Sequence, residues 1–306
     1  MRVGRSLLAL IWLAATIFAA GADVRPAPTV VVIASAELEA HRHAVEGIQT
    51  ALAPSRTTVR ILGIEQASGA ARSGQLAPLS GVVVALGSEA ARLVEADRLR
   101  VPAVYTMVLR RRPEWEAAGR PAPITIPLEI PLASLAARLK TLFPGRTRLG
   151  VILNPGAGGA SAAQLRESAE QSGFTVQIAQ CANEGQLLAA LGSLRNRVDF
   201  VWCQPDGVLY NGATIQPLIL ASIENRLPLI GFSESFARAG AAVGIYPDFR
   251  EVGVQAGEAA RQLLEGQIPR PVDGPRRLKV AVNASVLRLF GLRNAATTGD
   301  DVTVLP

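Results

Sequence analysis

The residues best equipped for chemistry in this chain are carboxylates and small polar groups set among glycines. Asp206 stands in Gln204-Pro-Asp-Gly-Val-Leu-Tyr-Asn211. An uncapped carboxylate there suits a ligand ammonium through a charge-assisted hydrogen bond, while an Asx-turn with Gly207 uses the same oxygens on its own backbone. Glu234, in Ser233-Glu-Ser-Phe236, is a second carboxylate of this kind. The run Asn154-Pro-Gly-Ala-Gly-Gly-Ala-Ser161 could cradle an anion, since glycines allow close backbone approach and a helix start supplies free N–H groups. A flexible turn with Ser161 as an ordinary helix cap explains the same residues. The run lacks GxGxxG spacing and a P-loop lysine, and Ala179-Gln-Cys181 stands where a ribose-binding acid would be. Gly87-Ser88 offers a sharp turn and a hydroxyl, again for a carboxylate or for a cap. Tyr105, Trp202, Tyr210, Phe232 and Tyr246 fall at strand ends or just beyond them. Aromatics make up only 5% of the chain, so several around one cleft would suit an apolar or aromatic ligand.

Catalysis finds less support. His41 and His43 are two residues apart on one helix and do not share a face. No GxSxG, HExxH or CxxC occurs. A hydrolase built on Asp206, Glu234 and Asp248 has no spacing to argue for it, so neither catalytic residues, nor a metal, nor a cofactor are expected. Cys181 and Cys203 sit on strands that a 2-1-3 order separates by one strand, about 10 Å at ~4.8 Å per strand. A disulfide needs Cα atoms within about 7 Å. Bending loops could close that gap, and a bridge stays open.

These residues hang on a pattern that occurs twice. The first copy has strands at 29–34, 58–62, 81–86 and 101–105, with helices at 37–52 and 89–96. The second has strands at 149–153, 175–179, 198–202 and 227–231, with helices at 161–172 and 213–225. Val30–Ala34 and Val82–Leu86 are continuous apolar runs, as parallel strands buried on both faces require. Each copy is followed by an amphipathic helix, at 132–143 and 249–265. Between the copies, Arg110–Pro131 is turn-rich with five prolines, and Ile124-Thr-Ile126 is a possible short strand within it. A strand at 278–282 and a helix at 284–290 follow, and the residues after Arg293 read as frayed. The fold class is α/β, with two Rossmann-like lobes, parallel sheets and a ligand cleft between them. The second copy is ten residues longer around Asp206, in a loop at a strand carboxyl end, where open α/β sheets bind ligands.

Arg2 and Arg5, the apolar run Leu7–Phe18 and Ala20-Gly21-Ala22 read as a secretory signal peptide cleaved after Ala22. A retained anchor helix is the alternative. No cysteine follows the apolar run, which excludes a lipid-attachment site there. The formal charge of +6 is mostly scattered arginine. Its cluster Arg110-Arg111-Arg112 lacks the interleaved aromatics and glycines of a nucleic-acid surface, so a solvated loop is expected rather than a polyanion site.

Several segments together resemble the ABC-transporter substrate-binding proteins that include tryptophan- and tyrosine-type binding components. They are Leu142-Phe-Pro-Gly145 with Arg148-Leu-Gly-Val-Ile-Leu-Asn-Pro155, Asp199-Phe-Val-Trp-Cys-Gln-Pro-Asp206, Leu227-Pro-Leu-Ile-Gly231, Gly240-Ala241, Asp248 with Val252-Gly253, and Leu264-Glu-Gly266 with Pro269. The resemblance implies a type I periplasmic-binding-protein fold, a small-molecule ligand, transient docking on an inner-membrane ABC permease, and a periplasmic monomer that binds no nucleic acid. It also implies that Ser35, Ser88, Tyr105, Asn154, Ser161, Asp206 and Ser233 border the ligand, to which the residues themselves add Gly87, Tyr210 and Glu234. The expected division is 1–22 signal peptide, 23–128 with 249–277 as the N-terminal lobe, and 129–248 with 278–306 as the C-terminal lobe. Many relatives carry Asn-(Val/Ile)-Thr-Gly near the first crossover, where this chain has Pro123-Ile-Thr-Ile-Pro-Leu-Glu129. That departure points to a different ligand, or to a sensory or accessory binding protein without a standard transporter. An exported α/β enzyme is the third reading.

Overall fold

The structure, a computed structural model, describes residues 28–35, 38–77, 79–96, 100–116, 122–292 and 299–306. The expected signal peptide therefore lies outside the described residues. The first unit runs β1 (Thr29–Ala34), α1 (Glu39–Leu52), β2 (Thr58–Gly63), α2 (Ile64–Arg72), β3 (Val82–Leu86), α3 (Ser88–Ala96), β4 (Ala103–Val108) and β5 (Ile124–Pro127). Its sheet has the order β2-β1-β3-β4-β5, every pair parallel. The Val-rich strands β1 and β3 are buried along their length between two apolar layers, because helices cover both faces.

The second unit runs α4 (Leu132–Leu142), β6 (Arg148–Leu153), α5 (Ala162–Gln171), β7 (Thr175–Gln180), α6 (Leu187–Ser193), β8 (Phe200–Trp202), α7 (Ile215–Glu224), β9 (Leu229–Gly231), α8 (Glu234–Ala239) and β10 (Val243–Pro247). Then α9 (Phe249–Leu264) packs along α1 of the first unit. The chain next adds β11 (Leu278–Asn283), α10 (Ala284–Leu289) and β12 (Val302–Leu305) to the second sheet, ordered β12-β11-β10-β9-β8-β6-β7. The chain thus passes between the two units three times: after Pro127, at Asp248 and between Leu264 and Leu278.

The α1–α9 contact is close because it is built on glycines. A Cβ on Gly47 would lie 2.0 Å from the Arg250 carbonyl oxygen, and one on Gly253 would lie 2.0 Å from that of Ala44. Asp248 starts α9 by accepting from the Arg250 and Glu251 N–H groups at 3.1 and 3.3 Å.

Several details differ from the sequence expectation. Helices α2, α6 and α8 and strand β10 were not anticipated, being short segments that tertiary packing rather than periodicity specifies. The second sheet is not wholly parallel: β11 pairs antiparallel with β10, because the chain leaves to form α9 and returns from the opposite end. The C-terminus is not frayed throughout. β12 pairs parallel with β11 from Val302 to Leu305, and Leu305 is 3% exposed, so its burial anchors the end. Residues 293–298 lie outside the described set.

Candidate functional site

Strand register decides which loops meet. In the second sheet Leu149 pairs with Phe200 and Val151 with Trp202, so two to three residues further on Asn154 arrives beside Pro205 and Asp206. The Asn154 amide Nδ2 donates to Asp206 Oδ2 at 2.8 Å, and its Oδ1 accepts from the Gly156 N–H at 2.9 Å. Asp206 Oδ1 accepts from the Val208 and Leu209 N–H groups at 2.8 and 3.1 Å. Asp206 is thus the Asx-turn that the sequence allowed, but capping Val208–Leu209, and one of its oxygens also faces Asn154.

The glycine run receives a cation. After the 3-10 turn Pro155–Ala157, Gly158 adopts φ +68°, a left-handed conformation that favours glycine. Arg110, beyond the end of β4, donates from Nη1 to the Ala157 carbonyl at 2.9 Å and from Nε to Glu129 at 2.7 Å. A Cβ on Gly159 would lie 2.8 Å from Arg110 Nη2, so the missing side chain is what admits the guanidinium. Arg110 is not the solvated arginine expected from its cluster; its side chain is only 17% exposed. Ser161 caps α5 in a reciprocal capping box with Gln164, the ordinary structural reading.

Arg110, Asn154, Asp206, Tyr210 and Phe232 line one open hollow of about 440 Å³, with Leu109, Pro205 and Val208 on its rim. Tyr210 packs with Phe232 and Phe236, at ring-centroid distances of 5.9 and 6.1 Å. The ring is 6% exposed. Its hydroxyl is buried without a hydrogen-bond partner beside the Cys203 thiol, and burial followed by that thiol pushes its pKa well up. Burial likewise raises the Cys203 thiol to about 12. Cys181 and Cys203 are both free thiols in the second unit's core.

The first unit presents its own strand ends. β1 and β3 pair with Ala34 opposite Leu86, which sets Ser35 beside Gly87. Ser35 Oγ accepts from the Ala90 N–H at 2.9 Å, capping α3 from a neighbouring strand. Of the two readings of Ser88, the cap does not hold: Ser88 is already helical and exposed. Gly87 has φ +93°, and a Cβ there would meet Ser35 Oγ at 2.8 Å and His41 Nε2 at 3.2 Å. A hollow of about 860 Å³ opens here, lined by Ser35, His41, Arg42, Gly63, Glu65 and Gln66 among others. Both His41 ring nitrogens are buried without partners, and burial lowers its pKa.

Three expected site residues are committed elsewhere. Tyr105 is fully buried in the first unit's core, its ring edge-on to Trp115 at 5.0 Å and its hydroxyl bonded to Glu95. It lies mid-strand because β4 begins at Ala103 and continues to Val108. Glu234 binds Arg238 Nε at 2.9 Å and accepts from the Tyr246 hydroxyl at 3.1 Å. The Arg238 bond, outweighing some desolvation, lowers its pKa. Ser233 caps α8 by accepting from the Phe236 N–H at 3.1 Å. The structure therefore gathers Asn154, Asp206 and Tyr210 into one hollow and places Ser35 in another, with Gly87 buried behind Ser35. Sequence reading missed Arg110, because nothing local separates it from Arg111 and Arg112 and the Gly159 it packs against lies far along the chain.

The comparisons with known proteins agree with this architecture. Residues 127–294 match the model of the ABC transporter substrate binding protein family. A tyrosine-binding protein of Clostridioides difficile (strain R20291) is 23% identical over 159 residues, covering 51% of this chain and 46% of that protein. The match thus spans about half of either chain. The ligand-free, open structure of CD0873, a substrate binding protein with adhesive properties from Clostridium difficile, superposes with a TM-score of 0.68 at 16% identity, covering 91% of this chain and 99% of that one. The ABC domain in complex with L-Trp from Streptococcus pneumonia gives 0.55 at 15% identity, covering 91% and 100%. The periplasmic ribose ABC transporter structure from Conexibacter woesei gives 0.52 at 16% identity, covering 87% and 95%. These likenesses show a two-lobed α/β binding-protein fold, and the chain belongs to the ABC transporter substrate-binding protein family.

Proposed function

We propose that this chain is the solute-binding component of an ABC-type uptake system, exported to the periplasm. It takes a small amino-acid-like or aromatic ligand between lobes 23–128 with 249–277 and 129–248 with 278–306. Ligand contacts made by both lobes at once drive closure about the crossover segments, and the closed form docks transiently on a membrane permease. The observation that carries this reading is the hollow where the carboxylate of Asp206 and the aromatic pair Tyr210 and Phe232 lie together. A carboxylate with spare acceptor capacity beside an apolar aromatic wall suits an ammonium on an aromatic body. The similarity to a tyrosine-binding protein supports the same ligand class.

The carboxylates that a hydrolase would need are not brought together and each has a structural task. Asp206 holds a turn, Glu234 holds Arg238 and Asp248 caps α9. That favours recognition over turnover. The unusual crossover sequence Pro123–Glu129, which forms the edge strand β5, keeps a sensory or accessory role as the second reading. A thermal-shift screen of the mature protein against amino acids, aromatic acids, nucleosides and sugars tests the ligand class. Stabilisation by aromatic amino acids is expected. Stabilisation by sugars alone overturns the assignment.

A further inference from the structure

The hollow beside Asp206 is lined by both a guanidinium and a carboxylate, and one hydrogen-bonded chain links the two. Glu129 binds Arg110, Arg110 binds the Ala157 carbonyl, the Ala157 N–H donates to the Asn154 carbonyl at 3.2 Å, and the Asn154 amide binds Asp206. A single 3-10 turn therefore connects a guanidinium to a carboxylate within the lining of the hollow. Arg110 Nε and Nη1 are engaged with Glu129 and Ala157, while the Nη2 edge lies over Gly159. Most of its donors are left for a second acceptor.

We propose that Arg110 binds the α-carboxylate of the ligand while Asp206 binds its α-ammonium, so that the site selects free, zwitterionic amino acids over amines. The inference rests on the amino-acid reading given above. Arg110 suits this task better than a lysine would, because a planar fork already pinned at Nε presents its remaining edge in one orientation. It also gives the glycine run a role: Gly158 makes the turn and Gly159 leaves the space that the guanidinium fills. Because Arg110 follows β4 of the first unit and Ala157 belongs to the second, carboxylate binding there also engages both units at once.

The test compares L-tyrosine with tyramine, which lacks only the carboxylate, by isothermal titration calorimetry. The wild type should bind tyrosine at least tenfold more tightly. Arg110→Gln should bring that ratio close to one, with tyramine affinity changed little. Should circular dichroism show that variant unfolded, Glu129→Gln decides. It keeps the acceptor for Nε and removes the competing charge, so the ratio should rise. A wild type that binds both compounds equally, or a ratio unchanged in the deciding variant, overturns the role of Arg110 and leaves the ammonium site of Asp206 standing. Binding of neither compound by the wild type sinks the amino-acid reading itself, and this proposal with it.

Discussion

At the scale of single residues, most of the expected site side chains do structural work first and could recognise a ligand only with what capacity remains. Asp206 shows this most directly. Its Oδ1 is spent on two backbone N–H groups, whereas Oδ2 accepts only from Asn154. Asp206→Ala should therefore both abolish amino-acid binding and cost stability, about 1 kcal/mol as for a lost cap. Asp206→Asn keeps an oxygen for the turn but removes the charge. It should lose at least tenfold in tyrosine affinity at nearly wild-type stability, measured by calorimetry beside urea unfolding; undiminished affinity would remove Asp206 from the site. A second residue-scale prediction concerns pH. Asp199 is partly desolvated, which raises its pKa, but bonds from the Arg148 guanidinium and backbone, with Arg146 nearby, outweigh this and lower it overall. A carboxylate depressed by folding adds stability that is full above its unfolded pKa and is lost as pH falls through the folded value. Asp199→Asn should thus lower Tm at pH 7, and the gap from wild type should shrink below about pH 4, near the unfolded carboxylate pKa. A gap that stays constant across that range would show that the charge contributes nothing.

At the scale of elements, the sequence was informative where period and length were unambiguous. The Val runs of β1 and β3 and the long stripe of α9 are visible as patterns, because burial on two faces and on one face leave different periodicities. The six-residue α8 and the five-residue β10 have too few turns or alternations to show a period. Their conformation comes from Ser233 capping and from pairing on both sides of β10. The cap of α3 escaped sequence reading for a related reason. The nearest serine, Ser88, is a plausible cap locally, but parallel register brings Ser35 from more than fifty positions away. Such long-range capping is invisible to local reading. The register also makes Gly87 indispensable, since its positive φ and the space beside Ser35 both exclude a side chain. The α1–α9 contact is more demanding still. Gly253→Ala would set a Cβ against the backbone of Ala44, which cannot yield without separating the helices. Overpacking of this kind typically costs 1–3 kcal/mol, and here at least about 3 is expected because the obstacle is backbone. Urea unfolding checks it, with Gly69→Ala as a comparison: Gly69 is also inside a helix, α2, but no atom lies within 4 Å of its Cβ. Equal losses in the two variants would show that helix approach does not matter.

At the scale of the whole molecule, duplication was legible and the consequence of breaking it was not. Two α/β units appear as repeated strand–helix patterns. Yet Arg110 could not be distinguished from its neighbours Arg111 and Arg112, because its role depends on Gly159 across the boundary between the units. That contact bears on how the lobes would move. If the ligand engages Arg110 and Asp206 together, binding rewards arrangements in which both units reach it, and the population should shift toward a closed form. The described tryptophans, Trp115 and Trp202, are 3% and 4% exposed and lie within the separate cores of the two units. A rigid-body closure would hardly change their surroundings, so intrinsic fluorescence should move little on ligand addition. Small-angle scattering reads the separation of the lobes directly, and there a saturating aromatic amino acid should reduce the radius of gyration. Arg110→Gln should weaken the compaction even at ligand concentrations that saturate binding, since Asp206 alone anchors the ligand to one lobe. A wild-type protein that binds the ligand with no change in radius would mean that recognition takes place on the second unit alone, and hinge closure would have to be abandoned.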